Sequence, residues 1–172
     1  MDLEYDGLTL RPPTVDDADV VVGAVHSSLA ELTPWMPWAS AAYDTNDALA
    51  WIRGDLGDAH RFVMMVDGEM VGSCGLNKVD VLNGAANLGY WVRSDRAGRG
   101  HATAATKLVA RFGLEQAGYH RLEVVMSTRN EASRRVAERA GATHEGILRS
   151  ALALQGERHD AHVWSFVRAD LG

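Results

Sequence analysis

The chain has 172 residues, 47% of them hydrophobic and 23% charged, the make-up of an ordinary globular protein and not of a membrane-spanning or disordered one. Its 17 Lys/Arg against 23 Asp/Glu leave a formal charge of −6, which argues against nucleic acid as the main partner. One cysteine excludes an internal disulfide and points to a reducing, cytoplasmic compartment; there is no run of about 18 apolar residues for a membrane, and Met1-Asp2-Leu3-Glu4 is acidic where a signal peptide is basic, so one domain over residues 1–172 is expected.

Leu8 to Arg11 reads as a short strand stopped by Pro12-Pro13. Thr14 and Asp17 stand in capping-box positions before a helical stripe of Val15, Ala18, Val22, Val25 and Leu29. Leu32 to Tyr43 is a loop, with Trp35, Met36 and Trp38 set among Pro34 and Pro37. Asp44 or Thr45 caps a second helix with Leu49, Ile52 and Leu56 on its inner face. Strands over 61–66 and 70–76 flank the tight turn Asp67-Gly68, and a third covers 87–92. Ala105, Leu108, Val109 and Phe112 predict a helix over 101–116, and 122–127 is rich in β-formers. Ala132, Val136 and Ala140 predict a helix ending at Gly141, and strands near 147–154 and 159–168 flank a turn at 155–158. The order is that of a mixed sheet covered by helices.

Charge is unevenly placed. From Arg93 to Arg149 there are 11 Lys/Arg and 6 Asp/Glu, so that tract is +5 while the rest of the chain is −11. Within it, strand 87–92 runs through Gly98-Arg99-Gly100-His101-Ala102-Thr103 into the long helix. A strand, a glycine turn and a helix N-terminus form an anion site, because backbone can approach, unpaired N–H groups point outward and the helix dipole adds positive charge. The same glycines also suit a plain tight turn. Thr103 stands where a dinucleotide fingerprint needs glycine, and no P-loop sequence exists.

On these residues the chain resembles the GNAT family of acyl-CoA-dependent N-acyltransferases, and within it the RimJ/RimL group that acetylates ribosomal-protein N-termini. Ala97-Gly98-Arg99-Gly100-His101-Ala102 matches the family's pyrophosphate motif except at its first position, where Ala97 replaces Gln or Arg. Gly89-Tyr90-Trp91-Val92 matches the strand before it, and Asn130-Glu131-Ala132-Ser133 with Gly141 matches the later motif. The resemblance runs from Leu8 to Arg168. It implies an α/β fold with a mostly antiparallel sheet, splayed between strands 87–92 and 122–127 (fourth and fifth of those read above) and flanked by about four helices.

It also implies a chemistry. Acetyl-CoA, the co-substrate, would lie in that splay with its pyrophosphate on Gly98, Arg99, Gly100, His101, Ala102 and Thr103. A backbone N–H of Trp91 or Val92 would polarise the thioester carbonyl. Asn130 would hold the pantetheine arm, and Ser133 would hydrogen-bond the leaving sulfur; the tyrosine that many relatives carry seven residues after this Asn is Ala137 here. Read without the resemblance, Asn130 is an N-cap and Ser133 its partner. Arg134, Arg135 and Lys107 are candidates for the adenosine phosphates. Related enzymes often have Glu at the position of Asn87, and an amide takes no proton, so Asp80 and Asp160 are the fallback bases or else plain surface carboxylates.

Trp35 and Trp38 suit either core or the wall of an acceptor site. Cys74 shares a strand face with Met70 and Leu76, an inert buried thiol and not an acyl carrier. His159 and His162 fall on opposite faces of their strand, so no metal is expected. The leading expectation is transfer of acetyl to a protein N-terminal α-amine, such as that of a ribosomal protein, with Asn87 facing the substrate. Acylation of a small amine, an antibiotic or peptide-like toxin, with acetyl-CoA or a longer donor such as succinyl-CoA, is the alternative within the fold. A non-catalytic acyl-CoA-binding module is the alternative outside it. The resemblance admits a homodimer.

Overall fold

The computed structural model describes residues 1–171. One eight-stranded sheet runs in the order β1-β2-β3-β4-β5-β6-β8-β7, where β1 is Leu3–Tyr5, β2 Leu8–Arg11, β3 His60–Val66, β4 Glu69–Asp80, β5 Ala85–Val92, β6 Arg121–Ser127, β7 Thr143–Leu154 and β8 Glu157–Val167. Every neighbouring pair is antiparallel except β5–β6. Helices α1 (Ala18–His26), α2 (Leu29–Leu32) and α3 (Thr45–Arg53) cover one face, and α4 (His101–Glu115) and α5 (Glu131–Ala140) the other.

The turn chemistry carries the hairpins. Asp67-Gly68 and Gln155-Gly156 both hold two successive positive φ angles, the type I′ signature whose twist matches the strands. So does Asp6-Gly7, which joins β2 to the edge strand β1 that the sequence reading missed.

Two helix expectations need correction. The stripe from Val15 to Leu29 is not one helix: Val15–Asp17 is a 3-10 turn, α1 stops at Ser27-Ser28 and α2 is a single turn. The buried face of α1 is Ala18, Val21, Ala24 and Val25, while Val15 is exposed and Val22 only half-buried. The stop has a use, because the fully buried Ser28 hydroxyl accepts the Ser94 N–H at 3.1 Å and ties this corner to the segment after β5. Likewise Leu56 lies beyond α3 and is 66% exposed. Gly54 ends that helix at φ 85°, and a Cβ there would strike the Arg61 guanidinium. Asp44 is the cap, accepting from Asn46 and Asp47 N–H at 2.8 and 3.1 Å.

Candidate active site

The splay arises from unequal pairing. β5 and β6 pair only at Ala85–Arg121, Ala86–Leu122 and Asn87–Glu123, whereas β6 stays paired with β8 along its whole length and β5 with β4. Past Asn87 the two parallel strands therefore part. A cavity of about 1210 Å³ passes through the gap and joins the two faces of the sheet. Its lining runs from Asn130, Ser133 and Tyr90 beside α5 to Trp35, Trp38 and Tyr43 in the loop before α3.

The ladder decides which backbone groups face the gap. Arg93 N–H donates to Val71 O at 2.8 Å, so two-residue alternation turns the Trp91 N–H toward β4 as well. Tyr90 and Val92 N–H groups point the other way, into the splay. Of the two candidates for the thioester carbonyl, Val92 has the aligned donor.

Beyond β5 the chain turns through Gly98 at φ 74° and Gly100 at φ 86°, a conformation that disfavours any residue with a Cβ. Neither has an atom within 4 Å of where a Cβ would stand, so the turn presents bare backbone to solvent. Gly100 caps α4 without a side-chain bond, which leaves the N–H groups of His101, Ala102 and Thr103 for a ligand. Burial lowers the His101 pKa, and Arg99 and Arg96 lower it further. Arg99, Lys107 and Arg139 line a second hollow of about 320 Å³ beside this turn. Arg134, by contrast, is held by Glu131 at 3.0 Å and Glu138 at 3.1 Å along its own helix.

Asn130 caps α5, accepting the Ser133 N–H at 3.1 Å. The Ser133 hydroxyl has a partner that sequence reasoning missed. Tyr90 Oη lies 2.9 Å from Ser133 Oγ and also donates to Ser133 O at 3.0 Å. Burial pushes the Tyr90 pKa up to about 12, with the Ser133 bond pulling against it. The hydroxyl pair therefore stands neutral at the α5 side of the gap, and Ala137 is buried beneath it in the core.

The opposite end is aromatic and acidic. Trp38, 42% exposed, sits 5.5 Å from the Tyr43 ring and 6.1 Å from the Trp91 ring, and Trp35 and Trp51 also line the space. The β7–β8 turn closes one wall, with Gln155 Nε2 donating to Thr33 O at 2.7 Å. Asn87 lies on the floor and donates to Asn77 Oδ1 at 2.8 Å. Asp80 lines the rim, and its carboxylate, held below its usual pKa, accepts from Asn83 Nδ2 at 2.7 Å. Asp160 is not brought into this space: it is exposed, and its carboxylate accepts the Ser150 N–H at 2.7 Å on the β7–β8 hairpin. Asp58, which the sequence did not single out, lines the chamber half-buried, its pKa raised by burial against the opposing pull of Arg61 and Asn77.

Cys74 is buried and burial pushes its thiol pKa far up, so no thiolate forms there. His159 is buried on Ser127 Oγ at 2.8 Å, and His162 meets His144 at 3.0 Å on the other face. Among the described residues no three His, Cys, Asp or Glu side chains converge as a metal would require.

Known proteins share this architecture. The chain is 29% identical over 176 residues to the uncharacterized N-acetyltransferase p20 of Bacillus licheniformis, covering 98% of this chain and 97% of that protein. It is 31% identical over 107 residues to the putative ribosomal N-acetyltransferase YdaF of Bacillus subtilis, a match that spans 62% of this chain and 58% of that one. A solved structure of Mycobacterium smegmatis RimJ with CoA-disulfide superposes with a TM-score of 0.86 at 25% identity, covering 99% and 88% of the two chains. A RimL structure described as a ribosomal L7/L12 α-N-protein acetyltransferase with coenzyme A reaches 0.89 at 21% identity over the whole of both, a likeness of fold. The acetyltransferase (GNAT) domain family matches residues 7–143, and the chain belongs to that family, as an N-acetyltransferase whose co-substrate is acetyl-CoA.

Proposed function

We propose that the acceptor is the α-amine at the N-terminus of a protein, of the kind that ribosomal-protein acetyltransferases modify. The observation that carries this reading is the amide pair Asn87–Asn77 on the floor of the acceptor chamber, with Asn87 at the strand position where the family resemblance implies a carboxylate. An α-amine has a pKa of about 7.7–8.0 and is roughly one-tenth neutral at pH 7. A lysine amine near 10.4 is neutral only to a few parts in ten thousand, a deficit of about 3.5 kcal/mol. A floor of amides suits the amine that needs less help. YdaF and RimL, by their printed descriptions, support the same class of acceptor.

In this reading Val92 N–H polarises the thioester carbonyl as the amine nitrogen attacks its carbon. The C–N bond forms and the C–S bond breaks, and the electron pair leaves on sulfur. Ser133, backed by Tyr90, donates a hydrogen bond to that sulfur; a serine is too weak an acid to give its proton outright. The Gly98–Thr103 turn holds the pyrophosphate and Asn130 the pantetheine arm. A cytoplasmic setting rests on the single unpaired cysteine.

The test is thiol release from acetyl-CoA with peptides bearing free Ala or Ser N-termini, against the same peptides N-terminally blocked and carrying an internal lysine. Free N-termini should react, faster as the pH approaches about 8, and blocked ones should be inert. Equal rates on both would exclude the α-amine. A second reading, acylation of a small flat amine, is favoured by the Trp38–Tyr43–Trp91 walls and predicts turnover of such an amine with peptides inert.

A further inference from the structure

The β7–β8 hairpin turns on a residue that suits its backbone badly. Gln155 holds φ 51° as the first central residue of a type I′ turn, a left-handed conformation in which a Cβ is crowded. The other two turns of this type described above carry Asp at the same place, Asp6 at φ 47° and Asp67 at φ 50°. Asp tolerates that region because its short side chain can hydrogen-bond the local backbone; glutamine is a methylene longer and gains no such help. The turn alone therefore selects against Gln155, and the side chain has its partner elsewhere.

That partner lies 122 positions away in the chain: Gln155 Nε2 donates to Thr33 O at 2.7 Å. Thr33 is the C-cap of α2, and the helix cannot satisfy its carbonyl, since the residue four positions on is Pro37, which has no N–H. The Met36 N–H is spent on Leu32 O at 2.8 Å. Gln155 therefore caps α2 from the tip of the hairpin. The capped end runs directly into the aromatic wall of the chamber. Thr33 Oγ1 donates to Ala39 O at 3.2 Å, and Trp35 and Trp38, between those two residues, line the chamber. From the hairpin, Leu152 and Leu154 line the same space. One hydrogen bond thus joins two walls that come from opposite ends of the chain.

We propose that Gln155 is a positioning residue for the acceptor: its bond to Thr33 O holds the Trp35–Trp38 segment at the spacing from the β7–β8 hairpin that the acceptor fits. This rests on the reading above that the chamber takes the acceptor amine, but not on which amine it is. Gln155 acts by limiting how far the two walls part, so that the acceptor meets a preformed pocket in place of a loop it must order on binding. The strain of the turn and the gain of the hydrogen bond oppose each other, so the effect of the residue falls on acceptor binding and not on the stability of the fold. The bond makes no contact with the Gly98–Thr103 turn, and acetyl-CoA affinity does not depend on it.

Three variants test it, read by steady-state kinetics, calorimetry with acetyl-CoA, thermal melting and hydrogen–deuterium exchange over residues 33–43. Gln155→Gly removes the side chain and suits the positive φ; Gln155→Asn also suits the turn but is a methylene too short to reach Thr33. Both should exchange faster over 33–43 and melt no lower than wild type. Both should raise the KM for a free-Ser-N-terminus peptide about 2- to 10-fold, the worth of one hydrogen bond, with kcat and acetyl-CoA affinity unchanged. Asp67→Gly makes the same backbone change in the β3–β4 turn and should leave the KM and the exchange of 33–43 as in wild type. A lowered melting temperature, unaltered exchange, a wild-type KM or a matching loss of acetyl-CoA affinity in the Gln155 variants would each overturn the assignment, as would an equal KM rise in Asp67→Gly. Should the peptide be inert with wild-type enzyme, the α-amine reading fails by itself. The KM is then read on whichever amine in a panel releases thiol, and unaltered exchange over 33–43 still overturns the assignment without any acceptor.

Discussion

The Tyr90–Ser133 pair shows how little of a site one side chain carries. Tyr90 has a single phenolic proton and two acceptors, Ser133 O and Ser133 Oγ, within reach. With that proton on the carbonyl, the Ser133 proton is free to rotate; with it on Oγ, the serine becomes a better donor to a developing thiolate. Ser133→Ala should therefore lower kcat by up to about 10²-fold with acetyl-CoA affinity held. Tyr90→Phe should lower kcat by less, and the double variant should be no slower than Ser133→Ala, because the tyrosine acts through the serine. Losses that multiply would show two independent hydroxyls. Ser133 was legible in the sequence because its spacing from Asn130 is a local motif. Tyr90 was legible only as a strand residue, since its partner lies 43 positions away across the sheet. Asp58 carried no signal at all: one aspartate after Gly57 reads as a loop, and only the fold brings it into the lining of the chamber that Asn77 and Asn87 share.

Elements were read best where one face repeats and worst where a polar contact cuts the repeat. α4 was legible because Ala105 and Val109 are buried and Leu108 and Phe112 flank them, with Gly113 letting the helix approach within reach of Leu122 and Leu76. The stripe from Val15 onward was misread because a continuous apolar pattern gives no sign that Ser28 is needed elsewhere, on the Ser94 N–H. The entry to α1 offers a stability test. Asp17 receives both Arg11 guanidinium nitrogens at 2.8 and 2.7 Å and the Thr14 N–H at 2.7 Å, and the Arg11 bond, working against burial and helped by the Thr14 bonds, brings its pKa down to about 2. A carboxylate with a lowered native pKa stabilises the fold above its unfolded value near 3.9, and that stability is lost as pH falls toward 2. Asp17→Asn should lose about 1 kcal/mol at pH 7. The difference from wild type should fade between about pH 4 and 2, followed by urea midpoints, and a difference unchanged at pH 2 would mean that the carboxylate charge is not its source.

Across the whole molecule, the proposed reading puts the two substrates on opposite sides of one sheet. The basic tract looked in the sequence like a single +5 patch, but in the fold five of its eleven basic side chains are held in ion pairs. Arg93 pairs with Asp95, Arg96 with Glu69, Arg121 with Glu123 and Glu145, Arg129 with Glu157 and Arg134 with Glu131 and Glu138. Arg99, Lys107 and Arg139, which share the hollow beside the α4 N-terminus, form no ion pair among the described residues. Three of the tract's unpaired cations therefore stand where the bare Gly98–Gly100 backbone and the unpaired helix N–H groups already point. Such exposed charges are screened over about 10 Å at 0.1 M salt, so acetyl-CoA affinity should fall steadily between about 50 and 500 mM NaCl. Lys107→Ala should weaken binding by about 1 kcal/mol, roughly fivefold, and flatten that salt dependence. Arg134→Ala removes the same formal charge from a helix where two glutamates already hold it, and should change neither. Calorimetry across the salt series on the three proteins separates the outcomes: equal effects of the two substitutions would mean that the net charge of the tract, and not its unpaired corner, draws in acetyl-CoA.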